Sequence, residues 1–216
     1  MKKFKFLLTA MLLTCSSMSF AQFMNGGSSS SSSDVPAWKG LRVSYDIPFT
    51  SGDGESESGN GFSVDYAHSF NIAKSLPIFL ETGAGINYAK WSESEDGADY
   101  STTLLGLTIP VNFVYGISIN DKLAIKPYTG LYLRANLMGK DKYEEDGESM
   151  DWNLFDKDDM KKLYSDTWNR VQVGWQIGTT LDINKFNVGI SYALDFNEIA
   201  EELKTSKFSV RVGYNF

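Results

Sequence analysis

The sequence has almost no cysteine. Its 216 residues include one, Cys15, near the amino terminus. A disulfide scaffold is excluded, and so is a cysteine-built metal site. Histidine is as scarce, with His68 alone. Long apolar runs are missing too. No stretch approaches the ~18 apolar residues that a membrane-spanning helix needs. A membrane, if the chain enters one, must therefore be crossed by strands. Basic residues are outnumbered, 20 against 27 acidic, for a formal charge of −7. That balance argues against a nucleic-acid partner, whose phosphates call for Lys and Arg.

What is present begins with a leader. Lys2, Lys3 and Lys5 precede the apolar run Phe6–Leu13, and Ser19-Phe20-Ala21 is a small-x-small cleavage site. Residues 1–21 read as a secretory signal peptide, with Gln22 as the first mature residue. Cys15 leaves with it, and Thr14 is a poor neighbour for a lipoprotein signal. Residues 22–38 hold six consecutive serines, Ser28–Ser33, behind Gly26 and Gly27. They read as a flexible linker with nothing to bury.

Residues 39–216 alternate. Side chains along a strand point to opposite faces, so a period of two marks one apolar and one polar face. The last strand shows it best: Phe208, Val210, Val212, Tyr214 and Phe216 alternate with Lys207, Ser209, Arg211, Gly213 and Asn215. The same pattern places strands at Lys39–Phe49, Phe62–Phe70, Ile78–Lys90, Leu104–Gly116, Leu123–Met138, Trp168–Ile183, Phe186–Phe196 and Lys207–Phe216. Pro110 cannot donate to a ladder and predicts a bulge or local break in the fourth strand. Gly139–Thr167 reads as a long loop with a short helix at Asn153–Tyr164. The other long links, Thr50–Gly61, Ser92–Thr103 and Asn197–Lys204, are also acidic, and the four together carry −14.

Eight strands, an even number, are joined by links that alternate long and short. The fold class that follows is all-β, an eight-stranded antiparallel up-and-down transmembrane β-barrel. Its short turns and both chain ends face the periplasm, and its long loops face outward. Aromatic residues near strand ends predict two interfacial belts. One has Phe49, Phe62, Tyr88, Trp91 and Trp168, the other Trp38, Phe70, Tyr115, Phe186 and Phe216. Residues 22–38 then form a periplasmic linker and residues 39–216 a monomeric barrel in the bacterial outer membrane. A secreted barrel holding an apolar ligand would need the apolar face inward, leaving Arg42, Glu81, Arg134 and Arg211 outside.

Three segments carry a family resemblance: LGLTIPVNFVYG at Leu105–Gly116, IKPYTGLYLRANL at Ile125–Leu137 and the closing VRVGYNF. With the leader, they resemble the small outer-membrane β-barrel (porin-like, OmpA/OmpX-type) proteins of Bacteroidota. The resemblance covers nearly all the mature chain. It implies that the barrel-assembly machinery reads the closing strand, where Tyr214 and Phe216 match the signal. It implies no catalytic residue.

Parity sends eleven charges into the lumen. Arg42, Lys126, Arg134, Arg170, Lys207 and Arg211 face Asp46, Asp65, Glu81, Asp182 and Asp195. A narrow barrel needs such groups paired, because charge out of water is costly alone. His68 falls on the lipid face and the adjacent Ser69 on the other, so they form no catalytic pair. The acidic loops lack the spacing of a calcium-binding loop. The expectation is a non-enzymatic outer-membrane barrel, without cofactor or metal, whose acidic loops serve surface contact or envelope integrity. Its partners are outer-membrane lipid, the assembly machinery and an extracellular ligand at Gly139–Thr167. A small porin-like channel and an outer-membrane lipid-modifying enzyme are the alternatives. Deleting Phe216 should strand unfolded chain in the periplasm. Cell fractionation checks this, and normal membrane levels would refute the assembly role.

Overall fold

The computed structural model describes residues 35–52, 55–73, 75–95, 97–163 and 165–216. The leader and residues 22–34 of the expected linker lie outside the described residues. The strands are β1 (Lys39–Gly52), β2 (Glu55–Ser58), β3 (Asn60–Asn71), β4 (Ile78–Glu95), β5 (Ala98–Tyr115), β6 (Ile117–Asn120), β7 (Leu123–Glu145), β8 (Glu148–Asn153), β9 (Val171–Ile183), β10 (Phe186–Asp195) and β11 (Lys204–Asn215). One short helix, α1 (Lys157–Lys162), follows β8.

Eight of the strands close a barrel. The hydrogen-bonded order is β11-β10-β9-β7-β5-β4-β3-β1, and β1 returns to β11. All these pairings are antiparallel. The closing seam runs from Gly40 opposite Asn215 to Ser51 opposite Lys204. A closed sheet has no edge, so its backbone groups are satisfied even where lipid offers no hydrogen bonds. The alternation has the sense the sequence predicts. Leu41, Val43, Val64, Ile86, Ile109, Val188, Ile190, Val210 and Val212 are exposed around the wall. Arg42, Ser44, Asp46, Glu81, Asn112, Lys126, Gln172 and Ser209 are buried within it.

Several elements differ from the sequence expectation. The acidic loop Ser92–Thr103 is largely strand, and so is the first half of Gly139–Thr167, as far as Asn153. β4 and β5 pair out to Glu95 opposite Ala98. β7 and β8 pair out to Glu145 opposite Glu148, and β5 and β7 pair alongside them to Ala98 opposite Glu145. The turn between β7 and β8 is Asp146-Gly147. Asp146 and Gly147 both have positive φ, 50° and 82°, and Gly97 has 88°. Such a turn matches the twist of the strands it joins. Charge made these segments look like solvated loops, while Asp-Gly within alternating residues was the hairpin signal.

The bulge lies elsewhere as well. At Pro110 the ladder breaks locally on one side: β4 and β5 pair at Thr82 opposite Val111 and next at Gly85 opposite Thr108, while on the other side Pro110 stays in register opposite Tyr132. The register shifts instead between Leu105 and Gly106, which face Met138 and Asn136 and leave Leu137 as the extra residue. The helix is shorter than Asn153–Tyr164, because Asp156 caps it: its carboxylate accepts the amides of Asp158 and Asp159. The sixth predicted strand starts at Val171 rather than Trp168, and the eighth starts early, at Lys204.

Parity of the wall generates one prediction. Ile190→Arg, mid-strand on the exposed face, should cost ~2–4 kcal/mol near the bilayer midplane. Reversible unfolding from lipid vesicles measures it. A negligible cost would mean that this face does not meet lipid.

Candidate functional site

Side chains pack the lumen along its length and leave a cavity of only about 50 Å³ among Arg42, Asp65, Gln176 and Arg211. At the short-turn end, Val35, Trp38, Phe79, Val114 and Tyr128 form an apolar cluster. Trp38 was expected in the interfacial belt and Val35–Trp38 in the linker. The structure corrects both, for Trp38 turns into the barrel. Its amide donates to Ser69 Oγ at 2.7 Å, and its carbonyl accepts the Ser69 amide at 2.9 Å. Its Nε1 donates to Glu81 Oε2 at 2.8 Å, and Lys126 Nζ stands 3.4 Å from its ring centroid. An indole buried with its N–H satisfied and a cation on its face is better placed there than at an interface.

The charges above it pair. Arg42 makes a bidentate contact with Glu81, at 2.8 and 2.5 Å. Lys126 meets Asp182 at 2.6 Å, Arg134 meets Asp195 at 2.5 Å and Lys207 meets Asp46 at 3.1 Å. Ser63 also donates to Asp46, and Tyr132 and Thr205 donate to Asp195. Arg211 donates to Ser191 at 2.5 Å and lies 5.3 Å from the Tyr128 ring centroid. Asp65 lies against Gly85, in the space a β-carbon there would fill. Gly174 and Gly178 likewise leave room for the rings of Tyr132 and Tyr128 to reach across the barrel.

Ten of the eleven predicted lumen charges are therefore inside. Arg170 is the exception. It is exposed at the rim before β9, with its guanidinium donating to the carbonyls of Asn136 and Leu137. It covers the Phe155 ring at 4.3 Å. The bulge turns these carbonyls toward it, and parity counted straight through the strand could not show that.

At the long-hairpin end a second apolar cluster closes the barrel: Trp91, Leu104, Leu154, Met160 and Ile199, with Phe155, Leu163, Trp168 and Leu203 against it. Trp91 and Trp168 thus belong to this cap and not to the outer belt. Leu154, Met160 and Ile199 were missed by strand parity, because they lie on irregular segments folded over the mouth. The only signal was apolar spacing within otherwise acidic links.

Beyond the cap, β4, β5, β7 and β8 continue as a four-stranded sheet. Its pairing puts Trp91, Thr102, Asp141 and Trp152 in one row and Glu93, Tyr100, Tyr143 and Met150 in the next. These rows share a face and line a cavity of about 580 Å³. The other face is polar, with Ser92, Ser101, Lys142 and Asp151 in one row and Ser94, Asp99, Glu144 and Ser149 in the next. Lys140 pairs with Asp151 there, and Lys142 with Glu144 at 2.5 Å. Tyr100 and Tyr143 stack at 4.8 Å between centroids. Burial pushes the Asp141 carboxyl above its ordinary range, and the hydroxyl of Thr102 only partly opposes this. The Tyr143 hydroxyl, donating to Glu145, is pushed up to about 12.

Glu81 holds the lumen together, since it serves Arg42, Trp38 and, at 3.4 Å, Asn112. Glu81→Ala should cost about 3–5 kcal/mol, because it strands a buried guanidinium. Denaturant unfolding of the refolded barrel measures it. A loss below about 1 kcal/mol would mean that water reaches Arg42 freely.

Among solved structures, the chain is similar to Ail of Yersinia pestis, crystallised with the heparin analogue sucrose octasulfate. Identity is 16%, the match covers 84% of this chain and 100% of Ail, and the TM-score is 0.48. Neisserial surface protein A matches at 11% identity over 82% of this chain and 97% of that one, with a TM-score of 0.47. The outer membrane enzyme PagL matches at 14% identity over 80% and 98%, with a TM-score of 0.46. No curated protein matches the chain by sequence. Residues 20–201 match the family described as outer membrane protein beta-barrel domain. A closed eight-stranded wall with an apolar outer face agrees with that description: the chain belongs to the outer membrane protein beta-barrel domain family and resides in the bacterial outer membrane.

Proposed function

We propose that the protein is a non-enzymatic contact protein of the outer membrane, which uses its protruding acidic sheet to engage a partner outside the cell. The observation that supports this reading is the sheet itself. Outer-membrane barrels keep short turns in the periplasm, so the long hairpins stand outside. An ordered sheet with one aromatic and one polar face is more than a solvated cap, for each tip hairpin aligns its side chains in rows.

The lumen argues against the channel alternative. An eight-stranded barrel is just wide enough for side chains to fill. Here the paired charges lie between two apolar clusters, and no ring of one sign is left to select an ion. Against the enzyme alternative, the described residues put no hydroxyl nucleophile beside the histidine. His68 packs on Phe70 at 4.2 Å on the outer wall, while Ser69 is bound to Trp38 inside. The assembly machinery reading Tyr214 and Phe216, a monomeric state and an origin in Bacteroidota belong to the same proposal, and the closing motif supports the first of them.

Asp141 and Trp152 are cross-strand partners, so Lys142–Asp151 can be replaced by an Asn-Gly turn. The variant should fold and keep its heat-dependent gel migration, while cells displaying it lose attachment to the surfaces that wild-type cells bind. Unchanged attachment would defeat the proposal. In planar bilayers the intact protein should show no steady conductance. Large, stable, ion-selective currents would instead establish the channel.

A further inference from the structure

We infer that the aromatic face of the protruding sheet is a binding site for a small organic ammonium ion, a cation carried on an apolar or sugar frame. The inference rests on the contact reading above and names a ligand class for that same surface.

The cavity is of ligand size, since small-molecule sites run to roughly 300–1,000 Å³. Its wall is unusually aromatic for an acidic segment. Trp91, Tyr100, Tyr143 and Trp152 all line it. Two of its apolar groups are open to solvent, Tyr100 at 49% and Met150 at 51% exposure. Aromatic faces attract a cation through their quadrupoles, most strongly when water is excluded.

Asp141 stands among them. It accepts the Thr102 hydroxyl, and among the described residues it has no cationic partner. Lys142 borders the cavity, but its ammonium is engaged by Glu144 at 2.5 Å, on the polar side. Glu57 and Glu93 add negative charge at the rim. An anionic ligand would meet three carboxylates there. A neutral ligand would leave Asp141 without the charge that its half-buried position calls for. The Trp91 Nε1 is buried and has no acceptor among the described residues. A hydroxyl or ether oxygen on the ligand frame would complement it. The predicted order of recognition is then stacking on the aromatic rows, with the ammonium group held by Asp141.

The test uses the full-length mature barrel, refolded in an uncharged polyoxyethylene detergent. Tryptophan emission and calorimetry are followed during titration with choline, with glucosamine and with neutral glucose. Choline and glucosamine should give saturable responses, and glucose none. Asp141→Asn should weaken binding about tenfold or more, the worth of a charge-assisted contact. Trp152→Ala should weaken it as well, with heat-dependent gel migration showing that both variants are folded. No saturable response to choline and glucosamine would overturn the inference. So would equal affinity in Asp141→Asn, or a response to oligolysine alone, which would make the occupant a basic peptide. Cells that attach through the hairpins while the protein ignores both ammonium probes would sink the ligand class and spare the contact reading. Ammonium binding without hairpin-dependent attachment would do the reverse.

Discussion

Twelve residue pairs join β1 to β11, and the rest of the molecule depends on that seam. In hydrocarbon an unpaired backbone amide costs several kcal/mol, so an open sheet of these strands could not remain in a bilayer. Closure removes the edges and at once divides every strand into a side that meets lipid and a side that meets other side chains. The second side has very little room. What fills it, and how it is neutralised, follows from the small circumference that eight strands allow.

Two devices solve the problem of room and charge together. Tyrosines on β7 lie over glycines on β9, so large polar rings fill the middle without forcing the wall apart. Carboxylates then serve several donors at once. Asp195 accepts from Arg134, Tyr132 and Thr205, and Glu81 accepts from Arg42 and Trp38. Such sharing matters because a buried ion pair with unsatisfied lone pairs is a poor bargain against an apolar core. It also ties β1, β4, β7, β9, β10 and β11 across the lumen, in directions that wall hydrogen bonds cannot reach.

Much of this was legible in the residues. A period of two sustained over eight segments forces one face outward and the other inward, and the eleven lumen charges came from that alone, ten of them correctly. The rest needed information that periodicity does not carry. Trp38 precedes the first strand and has no parity to place it. Its burial depends on an acceptor 43 residues away, Glu81. The bulge at Leu137 is silent because Leu137 and Met138 are both apolar and both exposed. Ile199, fully buried in the cap, lies on an irregular stretch tied down by the isolated bridge Ala200–Leu203 and by the Asn169 amide, which donates to its carbonyl. The hairpin tips were misread for a different reason. Net charge dominated their appearance, although charge says little about backbone conformation while Asp-Gly says much.

The extra residue at Leu137 has a consequence for how the exterior of such a barrel can change over generations. Below it, even-numbered positions of β7 face inward, such as Lys126, Tyr128 and Asn136; above it the odd-numbered ones do, Gly139, Asp141 and Tyr143. With that residue removed, the alternation would run unbroken from Asn136 through Met138 to Gly139, and Gly139, Asp141 and Tyr143 would keep the concave side. Loss of that single codon would thus remove the local kink and leave both the aromatic, anionic palm and the membrane wall facing as they do. The bulge is a place where the strand can change length by one residue without turning over either the palm or the anchored part of the protein.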